Sequence, residues 1–308
     1  MGPVQKLDDS GVELRGRALL TWRREQLAQG GRPIDLDWLL QMVAGVDWSS
    51  LQLMRLDPQR CLQLRVGLDR LGALWRRHLR SREPLQYLAG VCPWRDLNLA
   101  VAPGVLIPRQ ETELVVELAQ QLCPGVGPGL WADLGTGSGC LAVALARLWP
   151  ASAGLAVDCS PEALRQAGLN LHSHGVADRV QPLLGSWWQP LAPWWGALGL
   201  VVANPPYIPT AVWDALEPEV KCHEPRQALD GGADGLGAIS AIVAGARQAL
   251  APGGWLVLEH HHDQSAPVQQ LLQAAGLDLV AAHADLEGTW RFAVARRSPQ
   301  PPGGATRP

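Results

Sequence analysis

A chain of 308 residues with 47% hydrophobic and 18% charged composition can bury a large core, which excludes a disulfide-stapled miniprotein and leaves room for a large domain and a small one. Six scattered cysteines with no C-x-x-C pair exclude a zinc ribbon and a dithiol redox motif and fit a reducing, cytoplasmic compartment. The formal net charge of −3 gives no overall attraction to nucleic acid. Residues 1–83 hold 14 Lys/Arg against 10 Asp/Glu, and 84–308 hold 12 against 19, so a mildly basic segment precedes an acidic one.

Met1 to Lys6 carries neither an apolar run nor a myristoylation pattern, so no export signal or lipid anchor is expected there. Over 12–82 the apolar residues recur at helical spacing, as in Trp38, Leu39, Leu40 and Val43, then Leu68, Leu71 and Trp75. This predicts a small all-α domain over 1–84, with Asp35 or Asp37 as a helix cap. Glu83-Pro84 ends it, because the residue before a proline is pushed out of the helical region. Two extended segments, 85–91 and 97–106, predict a hairpin-like bridge over 85–106.

From Gly127 onward the pattern alternates. Strands are predicted at 130–134, 154–158, 198–203, 255–258, 277–283 and 289–295, and helices at 140–148, 161–174, 235–250 and 266–275. Such alternation argues an α/β domain over 107–296, an open, mostly parallel sheet with helices on both faces. The uncharged run 181–213 is interrupted by six prolines, which argues buried core and pocket rather than a membrane span. Residues 297–308 lack core-forming side chains and are expected to be a disordered tail.

The segment Asp133-Leu134-Gly135-Thr136-Gly137-Ser138-Gly139-Cys140 follows a predicted strand and opens a predicted helix, the place where open α/β sheets bind ligands. Its spacing is G-x-G-x-G; the dinucleotide fingerprint G-x-G-x-x-G would need glycine where Cys140 stands. A tight structural turn is the alternative. Asp158 ends the next strand, where a carboxylate can accept hydrogen bonds from both ribose hydroxyls of NAD or of S-adenosylmethionine. The alternative is an Asp capping the helix that Ser160-Pro161 begins.

Asn204-Pro205-Pro206-Tyr207 follows the strand at 198–203. An amide nitrogen is a poor nucleophile, so a site that alkylates it must hold the NH2 in line with an activated methyl group. The Asn204 side-chain carbonyl and the Pro205 backbone carbonyl can accept its two hydrogens, and Tyr207 can wall the planar group. An ordinary Asn-Pro loop is the alternative for the first two residues alone.

With these residues in view, the sequence resembles the PrmC/HemK family of release-factor glutamine N5-methyltransferases over about 34–295. Besides the glycine loop and the N-P-P-Y motif, the blocks Glu83-Pro84-Leu85-Gln86-Tyr87-Leu88-Ala89-Gly90, Ile107-Pro108-Arg109-Gln110-Glu111-Thr112-Glu113, Glu224-Pro225, Ala228-Leu229 and Asp234-Gly235 carry the likeness. The resemblance implies a Rossmann-like class I S-adenosylmethionine-dependent methyltransferase domain preceded by a small helical domain that docks the substrate. It implies that Gly135, Thr136, Gly137, Ser138 and Gly139 hold the methionine part of the cofactor, Asp158 its ribose, and Trp187 lies by the adenine, with Asn204 also in the cofactor site. Asn204, Pro205, Pro206 and Tyr207 would grip the glutamine of the GGQ motif of a class I release factor, with Asn204, Pro205 and Tyr207 catalytic. No metal, membrane or direct nucleic-acid partner is expected, and the protein is expected to be a monomer.

Two positions depart from the family. Ser186 stands where an acid usually precedes the tryptophan, and His260-His261-His262-Asp263 replaces a stretch where glycine is usual. The histidine run is expected to be a solvated loop, because adjacent residues do not readily chelate one ion. Trp188, Trp194 and Trp195 are read as packing, and Arg55, Arg60, Arg65, Arg70, Arg76, Arg77, Arg80 and Arg82 as a solvated face. Two other functions fit the same motifs: methylation of N6-adenine or another exocyclic amine of a nucleic acid, and non-catalytic binding of S-adenosylmethionine. The glycine spacing disfavours a nicotinamide oxidoreductase.

Overall fold

A computed structural model describes residues 11–299, and the chain divides into two units, 1–91 and 92–308. The N-terminal hexapeptide and most of the expected tail lie outside the described residues. In the first unit, β1 (Val12–Arg15) leads into α1 (Gly16–Leu27), α2 (Pro33–Leu39) and α3 (Trp48–Leu56), and β2 (Cys61–Leu64) precedes α4 (Leu68–Ser81) and α5 (Leu85–Ala89). Leu71 and Trp75, one helical turn apart on α4, are buried against Leu19, Leu36, Leu39 and Leu40, and the Trp75 indole N–H donates to the Gln26 carbonyl at 3.3 Å.

Three features of this unit differ from the sequence reading. It is not all-helical: β1 and β2 pair antiparallel, with Leu14 opposite Leu62, and strands of four residues are too short to display an alternation. Neither aspartate caps α2, because Pro33 takes the first helical position after Arg32. Asp37 instead accepts two hydrogen bonds from Arg23. Finally, residues 85–89 are helical rather than extended. Pro84 stands at the start of α5, a position proline favours, and Gly90 at φ 70° closes it, burying Leu85 and Tyr87.

The second unit opens with a two-stranded sheet of β3 (Val91–Trp94) and β4 (Leu97–Ala100). β4 stops at Ala100, short of the expected 106, just ahead of Pro103, which has no N–H for a ladder. After α6 (Glu113–Leu122), the main sheet is built from β5 (Leu130–Leu134), α7 (Cys140–Leu148), β6 (Ala153–Asp158), α8 (Pro161–Ser173), β7 (Val180–Leu184), β8 (Leu198–Ala203), α9 (Pro218–His223), α10 (Gly237–Ala249), β9 (Leu250–Glu259), α11 (Ser265–Ala274), β10 (Asp278–Ala284) and β11 (Trp290–Arg296). Its seven strands run in the order β10-β11-β9-β8-β5-β6-β7. β7, β6, β5, β8 and β9 are parallel, and β11 and β10 add antiparallel.

Alternate residues of the central strands face opposite layers. Trp131, Leu200 and Val202 pack with Val143 and Leu145 of α7 and Val115 of α6. Ala132, Leu134, Val201 and Ala203 pack with Ile239, Ile242 and Val243 of α10 and Val268 of α11. This two-faced burial is what makes the strands read as continuous apolar runs. β7 escaped the sequence reading because it is the edge strand: Gln181, Pro182 and Leu184 are exposed, and an edge tolerates proline. No helix among the described residues is long and apolar enough to cross a membrane.

Candidate active site

The sheet register assembles the site. Leu134 stands opposite Val157 and Ala203, and Ala203 opposite Leu258. One residue further along each of these parallel strands come Gly135, Asp158, Asn204 and Glu259. They form a row at the carboxyl edge of the sheet, around the point between β5 and β8 where successive connections turn to opposite sides, which is where doubly wound sheets open a crevice.

Gly135, Gly137 and Gly139 all adopt left-handed backbone, with φ of 76°, 55° and 82°, a conformation that costs other residues about 1 kcal/mol or more. The turn is fastened by the Gly135 and Thr136 N–H groups, which both donate to the Val157 carbonyl at 2.9 Å. Gly139 also allows close approach of α8: a Cβ there would lie 3.0 Å from that of Ala167. Beneath the loop, Thr136 Oγ1 donates to Asp133 Oδ2 at 2.7 Å. Burial pushes the Asp133 carboxyl up to about 7, against the lowering effect of the Thr136 hydroxyl.

Asp158 accepts from the Gly137 N–H through Oδ2 and from the Ser160 N–H through Oδ1, both at 2.9 Å. Burial raises its pKa and these N–H groups pull it back. Each oxygen retains a second lone pair for a ligand hydroxyl. The cap of α8 is supplied by Ser160, whose hydroxyl oxygen accepts from the Ala163 N–H at 3.2 Å, so the helix makes no demand on Asp158.

Gly135, Gly137, Asp158, Trp187, Asn204 and Pro206 line one cleft with an empty volume of about 710 Å³. Ser186 and the exposed Cys159 also face it. Thr136, Ser138 and Gly139 lie behind its wall: the two side chains are buried, and the Ser138 carbonyl accepts from Asn170 at 2.8 Å. The tryptophan pair splits. Trp187, at φ 46°, sets its ring against Gly135, where a Cβ would stand 3.3 Å from the indole. Trp188 is buried and donates to the Ile242 carbonyl at 2.9 Å.

Asn204 belongs to a chain of hydrogen bonds in which Thr112, in the sequence only part of a block of family likeness, and Glu259 take part. Its Nδ2 donates to Thr112 Oγ1 at 2.8 Å, Thr112 donates to Glu259 Oε2 at 2.7 Å, and the Tyr207 hydroxyl donates to Glu259 Oε1 at 3.0 Å. Thr112 and Glu259 are each 1% exposed. Desolvation pushes Glu259 up to about 7, against the lowering effect of its two hydroxyl donors. Burial and the Glu259 charge raise the Tyr207 phenol well above its ordinary value. Pro205 is buried, and neither it nor Tyr207 is among the residues lining the cleft. Next in sequence to the cleft-lining Pro225, Glu224 pairs with Arg109 at 2.6 Å and accepts at 3.1 Å from the N–H of Ile107, the neighbour of the cleft-lining Leu106.

The histidine run is not uniformly solvated. His260 is buried where β9 ends, because the β11 ladder continues past Glu259 through the His260 N–H to the Arg291 carbonyl at 2.8 Å. His261 is half-buried and pairs with Asp263 at 2.7 Å, while His262 and Asp263 are exposed.

This architecture has counterparts among known proteins. The ribosomal protein L11 methyltransferase (PrmA) family model matches residues 112–205, from the threonine of the hydrogen-bonded chain to the first proline of N-P-P-Y. Among solved structures, the hMettl16 catalytic domain in complex with MAT2A 3'UTR hairpin 6 superposes with a TM-score of 0.53 at 16% identity, covering 78% of this chain and 84% of that one. That likeness is one of fold alone. The release factor glutamine methyltransferase of Thermosynechococcus vestitus is 44% identical over 264 residues, 85% of this chain and 90% of that one. That of Prochlorococcus marinus is 46% identical over 281 residues, 91% of this chain and 96% of its own length. With identity of this order along nearly the whole of both sequences, this chain belongs to the release factor glutamine methyltransferases.

Proposed function

We propose that this methyltransferase uses S-adenosylmethionine to methylate the side-chain amide nitrogen of the GGQ glutamine in a class I peptide chain release factor. The observation that carries the reading is the orientation of Asn204. Its NH2 is committed to Thr112, so its carbonyl oxygen is left for a substrate N–H in the cleft that Asp158 and the glycine loop share.

The residues present fit the cofactor. Asp158 keeps lone pairs for two ribose hydroxyls, Gly135 and Gly137 offer backbone free of Cβ atoms to the methionine part, and Trp187 supplies a flat wall for an adenine. S-adenosylmethionine, when bound, supplies a sulfonium-activated methyl group with a good leaving group. The protein's share is positional. Asn204 Oδ1 and the Pro205 carbonyl accept the two amide hydrogens, which fixes the NH2 plane, and their dipoles stabilise positive charge developing on the nitrogen. Pro206, on the cleft wall, and the neighbouring Tyr207 are assigned the flanks of the flat amide group. The first unit, helical with a short β pair, is assigned the docking of the release factor body.

Mass spectrometry of a purified release factor, after incubation with this protein and methyl-labelled cofactor, tests the reading. One methyl group on the GGQ glutamine is expected. Label on nucleic acid with none on the release factor would overturn it.

A further inference from the structure

We propose that Thr112 and Glu259 are positioning residues that set the polarity of the Asn204 amide, so that its carbonyl rather than its NH2 faces the cleft. The inference deepens the glutamine reading and rests on it for its catalytic consequence. Neither end of an amide side chain is preferred by shape, so something must choose which end meets the substrate. An ionised carboxylate can only accept hydrogen bonds. Glu259 takes the Thr112 hydroxyl proton on one oxygen and the Tyr207 hydroxyl proton on the other. Thr112 has a single hydroxyl proton, so toward Asn204 it has only lone pairs left, and the NH2 must turn to it. Direction is thus passed from a buried charge through a hydroxyl to the amide.

Protonation of Glu259 breaks this logic. A neutral carboxyl must itself donate, and if it donates to Thr112, the threonine proton becomes free for Asn204 Oδ1. The NH2 then swings toward the cleft, where it meets the substrate NH2 donor to donor. Among the charged and titratable groups around Glu259, Glu111 raises its pKa and Arg291 lowers it. Beyond Tyr207 lie Arg109 and His261, the latter with its ring centroid 6.3 Å from that of the phenol. With burial dominant, Glu259 titrates near 7, so the productive polarity is complete on the alkaline side and fails on the acid side.

The test reads Asn204 directly. In the full chain, the Asn204 side-chain NH2 resonance, followed by ¹⁵N NMR from acid to alkaline pH, should shift with a midpoint near 7 in the wild type and in Thr112→Ser. It should not shift in Thr112→Val or in Glu259→Gln, a neutral isostere that removes the titrating charge. In methyl transfer, Thr112→Val should lower kcat by about 100-fold with the KM for S-adenosylmethionine unchanged, and Thr112→Ser should recover most of it. A wild-type resonance flat across the pH range, or a Thr112→Val protein with wild-type kcat, would overturn the inference. The NMR measurement needs no substrate. A wild type that transfers nothing to a release factor therefore defeats the functional reading, while the titration still decides the polarity.

Discussion

Asn204 and Asp158 stand side by side in the same row yet hold different partners, and substitution should separate them. On the proposed function, Asn204→Ala removes the carbonyl offered to the substrate amide and leaves the ribose side untouched. Transfer should fall by about 10²–10³, with cofactor affinity by calorimetry within a few fold of wild type. Asp158→Asn reverses that outcome. It turns an NH2 toward the Gly137 N–H and toward ribose hydroxyls that need acceptors, so cofactor binding should weaken by about 2 kcal/mol. Loss of affinity in the first variant, or none in the second, would mean that the two subsites are wrongly divided.

At the scale of elements, α8 fastens the glycine loop to β4. Asn170, fully buried, accepts from the Ala100 N–H at 2.8 Å and donates to the Ala100 carbonyl at 2.9 Å and the Ser138 carbonyl at 2.8 Å. Asn170→Leu would leave buried backbone groups unpaired, and urea denaturation should show a loss of about 3 kcal/mol. The glycine loop, the Asp158 strand end and the N-P-P-Y turn were legible in the sequence because each is local: special backbone and special side chains lie within a few consecutive residues. Glu259 and the role of Thr112 were not. Only the pairing of β8 with β9 brings Glu259 level with Asn204, and register between distant strands has no signature within either strand. The errors have the same origin. β1, β2 and α5 are too short for a period to declare itself, and β7 is too exposed.

For the whole molecule, two buried carboxyls contribute a pH dependence of known sign. Asp133 and Glu259 ordinarily titrate at 3.8 and 4.5, and burial raises each to about 7 in the folded chain. Across the interval between those values, the folded protein holds protons that the unfolded chain has released. Stability contributed by these groups therefore falls as pH rises through the interval and levels off above about 7. The difference in melting temperature between wild type and Glu259→Gln should accordingly change across the interval, with the wild type losing ground as pH rises. A constant difference would mean that Glu259 is ionised throughout. If Glu259 sets the polarity of Asn204 as proposed, the condition that orients Asn204 is also the one that strains the core.

The thiol on the cleft wall offers a practical consequence. Cys159 is exposed beside Asp158, whereas Cys92 and Cys140 are buried. Desolvation and the neighbouring carboxylate raise its pKa, so it alkylates slowly at neutral pH. A nucleoside seated in the cleft should slow it further, and peptide mapping after iodoacetamide treatment would then footprint occupancy residue by residue, with the outward-facing Cys61 and Cys222 as internal standards.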